Sequence, residues 1–457
     1  MCNTCINHSV IMGSPSQKIK TGGNTMKMLL KNITVLPMAE PGKIIEKGYV
    51  LINGNLIEAV GSGDPPAGEY EKVIDGTNYL VMPGLINTHT HAAMTMLRSY
   101  ADDLPLMEWL QTKIWPMEDR LTGDDIYWGT MLAIIEMIKS GTTTFTDMYF
   151  HMDRVAQAVE ETGIRAVLSR GMIGVGPENQ LAIEQSRQLI EQWQGAANGR
   201  ITFMLGPHAP YTCPPDYLKQ VADLARETGA GINIHVAETL DEINTINRDY
   251  GVSSVVYLEK AGIFEFPVTA AHCVHLSDED IAILKKYGVG VAHNPESNMK
   301  LASGIAPVPR MLEEGIPVGL GTDGASSNND LDMLQETRTC ALLHKVNNMD
   351  PTVLPAEQAL TMATALGAKA LHLGDQIGCL RPGYKADMIL INLNQPHMIP
   401  RYDLIANLVY AGKASDVDTV IIDGRIVMEN RQLTTIDEKQ VLEKCKEIAA
   451  RLVHNKD

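Results

Sequence analysis

The stretch Pro83-Gly84-Leu85-Ile86-Asn87-Thr88-His89-Thr90-His91 closes an apolar, β-branched run that starts at Val81 and reads as a strand. It sets two imidazoles at i and i+2. Side chains alternate along a strand, so His89 and His91 point to the same face. Two converging imidazoles pack poorly in an apolar core and serve well as metal ligands.

Seven further runs of the same texture follow, separated by helical stretches. They are Thr142–Met148, Arg165–Met172, Ile201–His208, Gly231–Val236, Val268–Val274, Val289–Asn294 and Val318–Asp323. Strands alternating with helices predict a parallel sheet, and eight of them predict an α/β fold that closes as a (β/α)8 TIM-like barrel. Each run carries a polar or ionisable residue at or near its end: His91, Asp147, Arg170, His208, His235, His272, His293 and Asp323. In such barrels the C-terminal strand ends carry the chemistry.

The flanks read differently. Short β-like runs with turn signals lie at Leu29–Leu36 and Gly48–Ile52, the latter leading into Asn53-Gly54, and again at Ala386–Ile391 and Val417–Ile422. Two β-rich pieces at opposite ends predict one small composite β-sandwich domain. The expected organisation is a disordered tail or upstream start over 1–25, the first part of the β-domain over 26–80, the barrel over 81–378, the second β part over 379–435 and a C-terminal helix over 436–457. The tail holds Cys2-x-x-Cys5-x-x-His8, half of a zinc-binding pattern without its second pair.

The chain has 457 residues, 45% hydrophobic and 20% charged, with a formal net charge of −17. That charge argues against a nucleic-acid backbone as partner but not against a single nucleoside. No run of about 20 apolar residues predicts a membrane span. Seven scattered cysteines make no disulfide framework, which fits a reducing compartment such as the cytoplasm. Homo-oligomerisation is left open.

His235 ends Gly231-Ile232-Asn233-Ile234-His235, and Asp323 stands at the strand-to-loop boundary of Leu320-Gly321-Thr322-Asp323-Gly324. With His89 and His91 they make a set of three imidazoles and one carboxylate, suited to one divalent metal ion, zinc before iron or nickel. Glu238 follows His235 by three residues and is the candidate proton carrier. The pattern is neither a helical HExxH nor the thiolate set of cytidine-type zinc deaminases.

The stretch from Pro83 to His91 resembles the amidohydrolase superfamily, and the resemblance runs from about Met26 to the C-terminus. It implies the barrel and the composite β-domain. Binuclear members carry a bridging lysine at the end of strand four; here that strand ends Gly206-Pro207-His208, which implies one metal. Within the superfamily the chain is most similar to 5′-methylthioadenosine/S-adenosylhomocysteine deaminases. In Leu110-Gln111-Thr112-Lys113-Ile114-Trp115-Pro116-Met117-Glu118 the resemblance implies that Glu118 holds the ribose hydroxyls. It implies that Arg170 lies near the 5′ substituent and that His208, in Gly206-Pro207-His208-Ala209-Pro210-Tyr211, contacts the nucleoside. Ala292-His293-Asn294-Pro295 and Ser297-Asn298-Met299-Lys300-Leu301 match the family's seventh-strand motif.

The expected function is hydrolytic deamination of an adenine ring by a metal-activated water, with release of ammonia. Asp323 would ligate the metal and accept the water's proton, His272 would orient the water, and Glu238 would protonate ring N1. Substrate contacts are expected from Glu118, Arg170, His208, Glu238 and Asp323. The rivals are an amidohydrolase acting on guanine, a triazine or a similar aminoheterocycle, and a non-catalytic barrel scaffold. The complete ligand set argues against the scaffold.

Overall fold

The computed structural model describes residues 26–454. Residues 1–25, with the Cys2, Cys5 and His8 pattern and the expected tail, lie outside the described residues. The chain opens with β1 (Lys27–Val35), β2 (Ile45–Asn53), β3 (Leu56–Ser62), β4 (Lys72–Asp75) and β5 (Tyr79–Pro83). The central part runs β6 (Leu85–Thr90), β7 (Thr142–Tyr149), β8 (Arg165–Met172), β9 (Ile201–Pro207), β10 (Ile232–Val236), β11 (Val268–His272), β12 (Gly290–His293) and β13 (Val318–Leu320). The chain closes with β14 (Met388–Asn392), β15 (Val417–Ile422), β16 (Arg425–Glu429), β17 (Gln432–Leu433) and the helix Glu438–His454.

Strands β6 to β13 form one sheet in sequence order, every pair parallel. The two edges meet through polar groups. Asn87 Nδ2–H donates to Thr322 Oγ1 at 2.7 Å, Thr322 N–H returns to Asn87 Oδ1 at 3.0 Å, and Asp323 N–H donates to the His89 carbonyl at 2.9 Å. These bonds bring the loop after β13 beside His89. Parallel strands covered by helices are buried on both faces, and every residue of β6, β7, β10, β11 and β12 is buried.

The flanking strands form the second sheet, in the order β17-β16-β15-β14-β5-β1-β2-β3, with β4 also on β1. Its alternation shows which face meets the barrel. Val81, Met388 and Leu390 pack with Met28, Leu30 and Val50 in the β-domain core. Leu80, Met82, Ile389 and Ile391 face the other way, into the large core shared with the barrel. The expected single strand Val81–His91 is therefore two strands in two sheets, and residue 81, the expected start of the barrel, lies within β5 of the β-domain. Gly84 is the joint: a Cβ there would sit 2.1 Å from Thr143 side-chain atoms.

Candidate active site

Strand alternation and the loops after the strands bring the predicted ligands together. Nitrogen atoms of His89, His91 and His235 lie within 4.8 Å of one another, as do atoms of His89, His272 and Asp323. The tautomers follow from the hydrogen bonds. His91 Nδ1–H donates to the Met148 carbonyl at 2.7 Å and His235 Nδ1–H to the His208 carbonyl at 2.6 Å. Each Nε2 therefore carries a lone pair, and the two stand 3.3 Å apart. Lone pairs facing one another repel unless a cation lies between them. Both ring nitrogens of His89 are buried without a hydrogen-bond partner. His91 Nε2 and His89 Nε2 stand 3.3 and 3.5 Å from Asp323 Oδ1. The donor set fits a divalent metal, and the outer nitrogens of His91 and His235 are anchored as ligand histidines require.

The electrostatics agree. Burial lowers His89 to about 4 and, with the neighbouring imidazoles, holds His235 well below its ordinary value. Neutral imidazole is the ligating form. Burial would raise Asp323, but His89, His91 and His272 outweigh it and hold the carboxyl well below the usual range. Asp323 Oδ2 also accepts from Ser297 Oγ at 2.6 Å and Ser327 Oγ at 3.0 Å. Glu238 goes the other way, pushed up by burial. Two carboxyls driven apart in this way suit a base and an acid in one site.

His272 Nδ1–H donates to Asn298 Oδ1 at 2.9 Å, which turns Nε2 toward Glu238 Oε2, 3.7 Å away. Burial would lower this imidazole, but the Glu238 and Asp323 carboxyls raise it. Ala237, His272, Cys273 and Asp323 all have left-handed φ, from 51° to 72°. Such non-glycine backbone persists only where its surroundings hold it, and it clusters at functional sites.

His91, His208, His235, Glu238, His272 and Asp323 line one cavity, with Glu118 on its outer wall. Burial lowers His208 to about 4. Glu118 accepts from the Tyr149 hydroxyl at 2.6 Å, and burial raises its carboxyl. Trp115, Glu118, Tyr149, Phe150 and Ile173 also line a second, outer cavity of about 910 Å³. Arg170 lines only that outer cavity, apart from His91, His235 and Asp323. Its Nε–H donates to Gln185 at 2.8 Å and its Nη1 reaches the Gly171 carbonyl.

His293 does not join the site. Alternation sends it to the outer side of β12, against the helix Met333–Asn347, where its Nε2 meets His344 Nε2 at 3.2 Å. Its neighbour Asn294 reaches His272 instead, with Nδ2 at 3.3 Å from Nδ1. Tyr149 and Glu242 contribute without any signal in the sequence, while Asp147 stands out there only as a strand-end residue and Asn298 only as part of a motif, neither with a role. Asp147 accepts from Thr90 Oγ1 at 3.1 Å and Ala92 N–H at 2.7 Å, and so holds the backbone on both sides of His91. Asn298 was legible as part of the Ser297–Leu301 motif, but its partner was not.

A sequence profile described as the Amidohydrolase family matches residues 80–427. A 5-methylthioadenosine/S-adenosylhomocysteine deaminase of Syntrophomonas wolfei subsp. wolfei is 64% identical over 94% of this chain and all of its own length. A protein of the same name from Pelotomaculum thermopropionicum is 59% identical over 93% of this chain and 99% of its own length. The solved structure of an adenosine deaminase from Xanthomonas campestris, with bound zinc, superposes with a TM-score of 0.90. It is 32% identical, over 94% of this chain and 99% of that one.

Proposed function

The chain belongs to the amidohydrolase family, and on that premise we propose that it hydrolytically deaminates the adenine ring of 5′-methylthioadenosine, S-adenosylhomocysteine or a related adenosine nucleoside, releasing ammonia. One observation carries the nucleoside reading: Glu118 stands on the wall shared by the inner cavity and the outer one that holds Arg170. A base beside His235 and Glu238, a ribose at Glu118 and a 5′ substituent toward Arg170 then fall in line. A free base needs only the first of these.

His89, His91, His235 and Asp323 would hold one zinc ion, which would supply a water acidified to a pKa of about 7. Glu238 enters protonated and gives its proton to ring N1, which makes C6 electrophilic. Asp323 takes the proton of the attacking water, and His272 Nε2 orients that water. Asp323 then passes that proton to the amino nitrogen, which leaves as ammonia, and the proton left on the C6 hydroxyl returns to Glu238 as the carbonyl forms. His208 packs against the base, and Glu118 accepts from the 2′- and 3′-hydroxyls. The partner is a small molecule, and the net charge of −17 argues against a nucleic-acid backbone. The same reading sets the enzyme in the reducing cytoplasm, where the five free thiols found among the described residues are stable. No helix of the described residues is long and apolar enough to cross a membrane.

The test is removal of the metal. Chelator-stripped protein should release no ammonia from methylthioadenosine, and one equivalent of zinc should restore turnover. Full activity in the stripped protein would refute the metal-dependent reading.

A further inference from the structure

Glu242 is a buried carboxyl, 3% exposed, that the chemistry above does not use. It stands in the first turn of the helix Leu240–Tyr250, whose N-cap Thr239 accepts from Glu242 N–H at 3.3 Å. In a Thr-x-x-Glu pattern the glutamate ordinarily returns to the amide of its own N-cap. Here it reaches further back. Oε1 accepts from Ala237 N–H at 2.8 Å and from Ser254 Oγ–H at 2.6 Å, and Oε2 accepts from Glu238 N–H at 3.1 Å.

The peptide segment it grips is held from the other side as well. The Ala237 carbonyl accepts from the amides of Val274 and His275, both at 3.0 Å, and Cys273 N–H donates to the Val236 carbonyl at 2.9 Å. These donors belong to the loop that follows His272. Ala237 has φ 53°, His272 72° and Cys273 51°. Left-handed backbone is costly for a non-glycine residue, so three such residues packed together need outside support. On the Glu238 side, Glu242 provides it.

We propose that Glu242 is a positioning residue for Glu238: its carboxylate clamps the Ala237 and Glu238 amides and so aims the Glu238 carboxyl into the cavity beside His272. This rests on the reading of Glu238 as the proton carrier. Two amides on one carboxylate fix a peptide plane better than one, and an error of about 1 Å in a catalytic group can cost on the order of 10²-fold in rate.

The test uses the zinc-loaded full chain. Glu242→Gln keeps the volume but turns one acceptor into an NH2 group facing a backbone N–H. It should lower kcat by ~10- to 100-fold while KM stays within ~3-fold and zinc content is unchanged. Groups acting as a unit are not additive, so Glu238→Gln/Glu242→Gln should be no slower than Glu238→Gln alone, within ~3-fold. Ser254→Ala removes one donor to Glu242 and leaves both amides. It should show a smaller loss that also vanishes in the Glu238→Gln background, and it stands in if Glu242→Gln does not fold. A wild-type kcat in Glu242→Gln, or a double variant slowed by the product of the two single losses, overturns the proposal. If instead Glu238→Gln turns over normally, the reading of Glu238 itself fails.

Discussion

At Glu118 one carboxylate oxygen is already bonded to the Tyr149 hydroxyl, while the side chain lines both cavities. A group fixed in this way discriminates by what it leaves unpaired. Glu118→Ala should lower kcat/KM for methylthioadenosine by at least ~10²-fold and leave turnover of a free base almost unchanged, as steady-state rates on both will show. Equal losses on nucleoside and base would mean that Glu118 only shapes the wall. Such residues differ in how legible they are. The histidines show through because imidazoles at strand spacing have few structural uses. Tyr149 does not, because an apolar aromatic at a strand end reads as core until its hydroxyl is seen to meet a carboxylate. Glu242 reads as a helix cap, and only the fold reveals that it reaches past the cap to Ala237.

At the scale of elements, the eight-strand pattern was legible because parallel strands buried on both faces are continuously apolar. What the pattern did not reveal was the break at Gly84, since an apolar run looks the same whether it crosses from one sheet to another or not. Gly84→Ala should therefore destabilise the protein by about 1–3 kcal/mol or more through overpacking against Thr143, read as a lowered thermal midpoint. His293 stands at the end of β12 as expected, but its side chain belongs to the outer face, which strand position alone does not reveal. There it pairs with His344, which burial lowers from 6.5 to about 4. The unfolded chain takes up that proton near 6.5 and the folded one only near 4. Between these values the unfolded state binds more protons, so stability falls as pH drops. His344→Gln should flatten this acid loss by on the order of 2–3 kcal/mol at pH 4, measured by urea unfolding of metal-free protein. An unchanged pH dependence would contradict the buried neutral pair.

For the molecule as a whole, the two chain ends meet in one sheet that packs on the barrel, a composite readable from the repeated hairpin texture. The interaction that ties the two together was not readable, because its members are far apart in sequence. Arg165, at the start of β8, donates to Asp387 at 2.7 and 3.1 Å and to Asp423 at 3.3 Å, all three buried. Arg165→Met would strand two carboxylates in the interface. It should cost roughly 3–5 kcal/mol, seen as a lower thermal midpoint. Because β8 begins at the end of the barrel opposite the site, kcat/KM of the folded variant at 25 °C should match wild type. A slowed enzyme with an unchanged midpoint would reverse the assignment. The central claim is that this barrel is a zinc-dependent deaminase for adenosine-type nucleosides. Its most direct test is the rate of ammonia release from methylthioadenosine, adenosylhomocysteine, adenosine, adenine and guanine by the zinc-loaded chain, followed with the inosine-type ultraviolet shift. The nucleosides should be turned over with stoichiometric ammonia and a higher kcat/KM than either base. Faster release from adenine or guanine than from any nucleoside, or none from any of the five, would contradict that claim.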